Sequence, residues 1–188
     1  MSGSNTILRV DSSITGENSV SRQITNRIVE QQLAARPDAQ VIDRDLVADP
    51  LAHLTLDQFA DASVLEEFLA ADTVVVGAPM YNFTLPSQLK AWIDRLAVNG
   101  RTFRYTAEGV PEGLAGPKRV IIALSRGGYY GTEQGNADFE HLESYLKAFF
   151  GFIGIVPEFV RADGINLGPE VKAKSVEQAL RDVELLAA

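Results

Sequence analysis

The sequence contains no cysteine among its 188 residues. This absence excludes disulfide bonds, thiolate metal ligands, iron–sulfur clusters and a thiol nucleophile. Only two histidines occur, His53 in a polar linker and His141 on a predicted helix, and they are too isolated to build a metal site. We therefore expect no metal centre, and any redox chemistry would have to come from a bound organic cofactor.

Long apolar runs and an excess of positive charge are missing as well. No stretch approaches the roughly 20 apolar residues that a helix needs to cross a bilayer, so we expect no membrane insertion. The formal net charge of −8 argues against nucleic acid as a partner and favours small molecules. Residues 1–5 are polar and lack the apolar core of a signal peptide, which predicts a cytoplasmic protein.

Five short β-rich runs alternate with amphipathic helical stretches along the chain. Such alternation is typical of a parallel sheet that is covered by helices on both faces. The predicted strands are residues 7–12, 41–47, 73–78, 119–124 and 157–162. The second is polar enough, with Asp43, Arg44 and Asp45, to lie at an edge. The length suits one domain, residues 1–188, and the pattern fits the flavodoxin-like α/β fold with strand order 2-1-3-4-5.

Helical periodicity marks the segments between these strands. The first helix should cover residues 19–35 and end before Pro37. Three later helices have apolar residues three or four positions apart on one face. These faces consist of Leu89, Trp92, Ile93 and Leu96, of Phe139, Leu142, Leu146 and Phe149, and of Val176, Ala179, Leu180 and Val183.

The loop after strand one, residues 11–21, is rich in serine and ends where the first helix begins. In a sheet of this order, ligands bind beyond the carboxyl ends of the strands, at the point where the strand order reverses. Free N–H groups and the positive end of the helix dipole attract a dianion there, and serine hydroxyls add uncharged donors. The loop therefore favours a phosphate site, although Ser19 as an ordinary N-cap would leave the same pattern.

The loop after strand three contains Met80, Tyr81, Asn82 and Phe83. Flat and polarizable side chains at this position would border a cavity in which a planar heterocycle can lie. Asn82 and the neighbouring amides would then bond the polar edge of that ring. The alternative interpretation is that the aromatic side chains simply pack into the core.

The loop after strand four contains Ser125, Arg126, Gly127 and Gly128. Two adjacent glycines allow the backbone to pass close to a ligand, and glycine also adopts a positive φ that alanine tolerates poorly. The alternative is that the glycines only turn the chain.

Taken in this order, the three loops resemble those of the FMN-dependent NADH azoreductases, a family also described as NADH:quinone oxidoreductases. The resemblance extends through residues 87–90, 102–105 and 151–155 and so covers nearly the whole chain. It implies that the first loop holds the phosphate of FMN and that the other two contact the flavin ring and ribityl chain. The residues assigned to FMN in this way are Ser13, Ser19, Val20 through its amide, Ser21, Met80, Tyr81, Asn82, Phe83, Ser125, Arg126, Gly127 and Gly128. Ser12, beside the matching serine, is expected to point into the core.

The resemblance implies an enzyme that takes hydride from NADH or NADPH and reduces quinones or azo compounds by a ping-pong mechanism. No side chain has to act as a nucleophile, and Tyr130 is the candidate proton donor, at a position where some members have a histidine. Residues 49–65 form a shorter segment than in other members, beside the substrate pocket. Members of the family form homodimers with the flavin sites at the subunit interface. Four aromatic residues are candidates for that interface or for the pocket, with the core as the alternative: Phe103, Tyr105, Phe150 and Phe152.

Two other functions are compatible with this fold class. A flavodoxin-type electron carrier would share the acidic charge, the size and the topology, but it would not oxidise a nicotinamide without a partner reductase. A signalling receiver of the same topology needs an aspartate that accepts a phosphoryl group. Strand three ends in Ala78, Pro79 and Met80 instead, which argues against a receiver.

Overall fold

A five-stranded parallel sheet forms the centre of the molecule. The structure, a computed structural model, describes residues 5–131 and 136–186. Its strands are β1 (Thr6–Asp11), β2 (Gln40–Asp45), β3 (Thr73–Pro79), β4 (Phe103–Tyr105), β5 (Pro111–Gly113), β6 (Arg119–Arg126) and β7 (Glu158–Asp163). The parallel sheet has the order β2-β1-β3-β6-β7, which confirms the predicted order and the flavodoxin-like α/β fold. β4 and β5 form a separate antiparallel hairpin.

The composition of the strands explains their places in the sheet. β3 is buried at each of its positions, as a strand must be when helices cover both faces and other strands flank it. β2 is largely exposed and lies at an edge, as its charged residues predicted. There Arg44 binds Glu67, with 2.6 Å between Nε and a carboxylate oxygen, so the polar side chains of this strand find ionic partners outside the core.

Helices cover both faces of the sheet. They are α1 (Val20–Ala35), α2 (Leu56–Phe59), α3 (Ser63–Ala70), α4 (Ser87–Ile93), α5 (Glu143–Phe152) and α6 (Pro169–Glu184). α1 and α6 share one apolar cluster with the sheet, in which Ile24, Ile28 and Val183 are fully buried. The opposite face packs against α3, α4 and α5, where Trp92 and Phe150 are fully buried. None of these helices, in the part of the chain described, is both long and apolar enough to cross a membrane.

Three details differ from the pattern expected from the sequence. α4 ends at Ile93, yet Leu96 in the following turn remains fully buried. Phe139 lies before α5 in a short 3-10 turn and is half exposed, so the prediction that it belongs to the apolar face of that helix is wrong. The β4–β5 hairpin was missed because its strands have only three residues each and are mostly exposed.

The register of the sheet aligns the carboxyl ends of the inner strands. Asp11, the last residue of β1, pairs with Gly77 of β3, and Pro79 pairs with Ser125 of β6. The Met80 N–H donates to the Ser125 carbonyl at 2.8 Å, which continues the pairing beyond the strand. The loops after β1, β3 and β6 therefore leave the sheet side by side.

A buried carboxylate packs directly over Gly77. Asp11 is only 5% exposed and accepts a hydrogen bond from the Thr25 hydroxyl at 3.0 Å. Burial raises the pKa of Asp11 above its ordinary value, although the hydrogen bond from Thr25 and the charge of Arg22 oppose that effect. A Cβ atom at position 77 would lie 2.5 Å from Asp11 Oδ1, which is closer than nonbonded atoms approach.

We predict that Gly77→Ala lowers the free energy of unfolding by about 1–3 kcal/mol, because its methyl group would overlap the buried Asp11 carboxylate. Urea denaturation followed by circular dichroism measures the change. Gly151→Ala is the matched control, since Gly151 lies in α5 and nothing would come within 4 Å of the added Cβ. This control should be more stable by about 0.5–1 kcal/mol. A Gly77→Ala variant as stable as its parent would contradict the close contact.

Candidate functional site

A cavity of about 270 Å³ lies at the carboxyl edge of the sheet, between the loops that follow β1, β3, β6 and β7. We refer to it as the edge cavity. Among the described residues it is lined by Ser13, Thr15, Asn18, Ser19, Val20, Pro79, Met80, Tyr81, Ser125, Gly127, Ile165, Asn166 and Lys172. The three loops singled out from the sequence therefore each contribute to one cavity.

The serine loop, residues 12–19, reaches the cavity through a short 3-10 turn, Gly16–Asn18, that places Ser19 at the N-cap of α1. The Ser19 hydroxyl accepts a hydrogen bond from the Arg22 N–H at 3.2 Å and lies 3.0 Å from the Ser21 hydroxyl. The N–H groups of the first helical turn have no partner within the helix. Ser19 is thus an N-cap and also lines the cavity, and its contact with a phosphate stays a prediction.

Two other serines of the region do not line the cavity. Ser21 is fully buried, and its hydroxyl lies 3.0 Å from the hydroxyl of Ser19, which does line it. Ser12 is also fully buried and donates to the Gly77 carbonyl at 2.7 Å, which confirms that it points into the core.

The Tyr81 hydroxyl connects the loop after β3 to the serine loop. It accepts a hydrogen bond from the Ile14 N–H at 3.1 Å and lies 3.3 Å from Ser13 Oγ. Ser13 Oγ in turn lies 3.0 Å from Thr15 Oγ1. These hydrogen bonds hold Ser13 and Tyr81 on the same wall of the edge cavity.

The chain after β3 reverses through a two-residue turn at residues 81–84. The Tyr81 N–H donates to the Thr84 carbonyl at 2.9 Å, and the Thr84 N–H donates back to the Tyr81 carbonyl at 3.2 Å. Asn82 and Phe83 in the centre have φ angles of 46° and 73°, as a type I′ turn requires. Asparagine tolerates this conformation well, but phenylalanine does not, so Phe83 carries backbone strain of about 1–3 kcal/mol.

The strained turn presents an aromatic side chain to solvent. Phe83 is 45% exposed, and its ring centroid lies 5.1 Å from that of Phe139 and 6.4 Å from that of Tyr130. Asn82 is exposed as well. Neither Asn82 nor Phe83 lines the edge cavity, in contrast to Met80 and Tyr81, so their contact with a bound ring stays a prediction.

The paired glycines after β6 differ from each other. Neither Gly127 nor Gly128 has a positive φ, so that part of the sequence-based expectation is wrong. A Cβ atom at Gly127 would lie 2.6 Å from the Asn166 side-chain nitrogen, and the Asn166 N–H donates to the Gly127 carbonyl at 3.0 Å. At Gly128 an added Cβ would meet only the Tyr130 ring, at an ordinary 3.7 Å. A side chain at position 127 would thus require the Asn166 side chain to move.

The Arg126 side chain points away from the edge cavity and is almost fully buried. Its guanidinium donates to both carboxylate oxygens of Asp163, at 2.6 and 2.8 Å. It also lies 3.5 Å from the carboxylates of Glu140 and Glu143. Arg126 thereby ties the end of β6 to the end of β7 and to the start of α5, and any contact it makes with a cofactor would come from its main chain.

Glu143 extends this network of charges. Its carboxylate accepts hydrogen bonds from Arg161 at 2.6 and 2.8 Å and pairs with Lys147 at 2.6 Å. Burial acts to raise the pKa of Glu143, but the hydrogen bonds from Arg161 and Lys147 outweigh it and lower the pKa to about 2. Because Glu143 stays ionised, its ion pairs with Arg161 and Lys147 persist and support the loop after β6.

Tyr130 borders a second and larger cavity of about 640 Å³. Arg126, Lys147 and the carboxylates of Glu140, Glu143 and Asp163 contribute to its lining. Among the described residues the three carboxylates outnumber the two cations, so this larger cavity is less suited to a phosphate than the edge cavity is. Tyr130 is half buried and outside the edge cavity, and its role as a proton donor stays a prediction.

The loop after β7 and the start of α6 also contribute to the edge cavity, which was not predicted from the sequence. Ile165, Asn166 and Lys172 line the edge cavity, although none belongs to the three loops that were singled out. The parallel orientation of the last strand could have indicated this, because β7 is parallel to β6 and its carboxyl end must lie at the same edge of the sheet. Applying the same rule to the fifth strand would have identified this loop.

The aromatic residues considered for a subunit interface occupy different environments. Phe150 is fully buried in the core, so its assignment to an interface is wrong. Phe103 and Phe152 are half buried and pack together, with ring centroids 4.6 Å apart. Tyr105 is 57% exposed. Of this set, Tyr105 is the residue with most surface available for a partner.

Comparison with known proteins gives consistent matches over the whole chain. The family model for the flavodoxin-like fold matches residues 5–186. The FMN-dependent NADH:quinone oxidoreductase 2 of Bradyrhizobium diazoefficiens is 52% identical to this chain, in a match that covers 97% of this chain and 98% of that protein. The FMN-dependent NADH:quinone oxidoreductase of Rhizobium meliloti is also 52% identical, in a match that covers 94% of each.

Solved structures agree with these matches. The crystal structure of an azoreductase from Bacillus anthracis has a TM-score of 0.84 to this chain, with 29% sequence identity. The match covers 97% of this chain and 100% of the other. The azoreductase AzrA gives a TM-score of 0.83 at 30% identity, over 96% of this chain and 100% of that structure.

Strain at Phe83 predicts an unusual order of stability among its variants. Phe83→Ala and Phe83→Gly both remove the ring, but only glycine relieves the positive φ. We expect Phe83→Gly to be the more stable of the two by about 1 kcal/mol in urea denaturation. Phe139, which has no positive φ, serves as the control position, and there the alanine variant should be the more stable. The same order at both positions would show that Phe83 is unstrained.

Proposed function

The chain belongs to the flavodoxin-like family of FMN-dependent NADH:quinone oxidoreductases, and from this membership we propose that it transfers two electrons from NADH to quinones. FMN, when bound, supplies the redox chemistry, since it can take up a hydride and release two electrons. The observation that carries the proposal is the edge cavity, which combines serine hydroxyls at a helix N-terminus with Met80 and Tyr81. The protein then has to bind, orient and shield the cofactor.

The serine end of the cavity fits the phosphate of FMN. Ser13 and Ser19 contribute hydroxyl groups to the lining, and the amides of Val20 and Ser21 lie in the first turn of α1. Among the described residues, the lining includes no carboxylate that would repel a dianion. We propose that these hydroxyls and amides hold the phosphate, with Ser21 supporting Ser19 from the interior.

We propose that the rest of the cavity holds the planar ring. Met80, Tyr81, Ser125 and Gly127 contribute to its lining. We propose that the main chain of residues 125–128 borders the ring edge and that the ion pair of Arg126 with Asp163 keeps this main chain in place. Asn82, Phe83 and Gly128 lie just beyond the lining and are proposed to contact the part of the ring that faces solvent.

Azo reduction is a second activity that we propose for the same site. Two of the structural neighbours are azoreductases with 29% and 30% identity to this chain. We propose that the exposed rings of Phe83 and Phe139, whose centroids lie 5.1 Å apart, stack with the aromatic groups of an azo dye. The Tyr130 ring lies close to Phe83. We propose that the Tyr130 hydroxyl donates the proton when solvent does not supply it.

We also propose that the protein is a homodimer. Leu56 and Val156 are 93% and 92% exposed, and Tyr105 adds a further exposed ring. Leu56 lies in α2, within the segment 49–65 that is predicted to border the substrate pocket. Light scattering during gel filtration should give twice the chain mass of 20.4 kDa. A mass of one chain at micromolar concentration would contradict the dimer.

Turnover distinguishes this enzyme from an electron carrier. We predict that the purified protein, loaded with FMN, oxidises NADH when menadione is added and needs no partner reductase. Because donor and acceptor are proposed to use the same open side of one cavity in turn, reciprocal plots at several quinone concentrations should give parallel lines. Intersecting lines would indicate separate sites, and no NADH oxidation by the FMN-loaded protein would favour a carrier.

A further inference from the structure

One charged side chain lines the edge cavity, and it comes from an element outside the three loops that define the site. Among the described residues of the lining, Lys172 alone carries a charge. The others are hydroxyl, amide, apolar or glycine residues. Lys172 lies in the first turn of α6, where its N–H donates to the Gly168 carbonyl at 3.0 Å.

Helix packing explains how this lysine reaches the serine loop. α1 and α6 lie side by side on the same face of the sheet and share one apolar cluster. Both helices follow parallel strands, so both begin at the carboxyl edge. The start of α6 therefore lies next to the start of α1, where Ser19 and Val20 line the cavity.

Lys172 differs in its ionic partners from two arginines near the site. Within residues 5–131 and 136–186 the ammonium group of Lys172 makes no ion pair, and its side chain is exposed. Arg22, one turn into α1, binds Asp45 at 2.6 Å, and Arg126 binds Asp163 at 2.6 Å. The positive charges of these two arginines are already neutralised inside the protein. A ligand with negative charge in the edge cavity would meet Lys172 as the available counter-charge.

The next lysine along the helix points elsewhere. Lys174 lies two residues after Lys172 in α6 but lines a separate cavity, together with Arg161, Asp163 and Arg181. Residues two positions apart on a helix face different directions. Lys174 therefore lies in the same helix and has the same charge as Lys172, but it does not line the edge cavity.

We propose that Lys172 binds the phosphate of FMN and supplies the positive charge that the serine loop lacks. This inference rests on the proposed function, since it assumes that FMN occupies the edge cavity. An ammonium group on a flexible stem suits this role, because it can approach a phosphate dianion from solvent after the hydroxyls and amides have bound it. Binding of FMN should then depend on salt more strongly than the serine loop alone would require.

The test compares FMN with riboflavin, which has the same ring and ribityl chain but no phosphate. Dissociation constants are measured by fluorescence titration of the full-length protein freed of flavin, at low and at high salt. We expect Lys172→Met to weaken FMN binding roughly ten- to a hundredfold at low salt, while riboflavin binding stays within about twofold. Lys172→Arg should retain most of the FMN affinity. Lys174→Met is the matched control and should bind both flavins like the parent.

Each outcome separates this inference from the proposed function. Unchanged FMN affinity in Lys172→Met, with normal turnover, would overturn the role of Lys172 and leave the enzyme assignment intact. Equal weakening of FMN and riboflavin would also overturn it, because the substitution would then have damaged the cavity in general. A higher KM for NADH at unchanged FMN affinity would assign the lysine to the dinucleotide instead. Failure of the parent protein to bind FMN at all would remove both proposals.

Discussion

The pairing of β3 with a strand on each side determines where the site can form. Its register with β1 sets Asp11 opposite Gly77, and its register with β6 sets Pro79 opposite Ser125. Three loops therefore start from adjacent points, and each can contribute to one cavity although they are far apart in the sequence. The absence of a side chain at Gly77 is part of this arrangement, because the Asp11 carboxylate occupies the space beside it. A shift of either register would separate the serine loop from the loop that contains Tyr81.

The sheet and most of the cavity follow from local patterns in the sequence. Burial on both faces makes β3 and β6 continuous apolar runs, and the charged residues of β2 exclude it from the centre. Once the order of strands is known, the rule that ligands bind at the carboxyl ends leads directly to the serine loop and to Met80. These features could be predicted because each depends on the period of one short segment and on a general property of parallel sheets.

Contacts between distant segments could not be predicted in this way. The approach of Asn166 to Gly127 and the position of Lys172 depend on how the last strand and helix pack against the rest. The positive φ of Phe83 arises from a two-residue turn whose sequence, Asn-Phe, departs from the Asn-Gly that favours such turns. The ion pair of Arg126 with Asp163 likewise joins residues 37 positions apart, so no local pattern reveals that the arginine side chain faces away from the cavity.

The hydrogen bond between the Ile14 N–H and the Tyr81 hydroxyl has a consequence for the entropy of cofactor binding. It joins two loops, 67 residues apart in sequence, through atoms of the chain itself. Fixing loop residues costs about 1–2 kcal/mol each in backbone conformational entropy, and here part of that ordering accompanies folding. The loops then lose less conformational entropy when the cofactor binds. A larger share of the favourable contact energy therefore remains in the free energy of binding. The proposed FMN site would thus be partly preorganised by the folding of the chain.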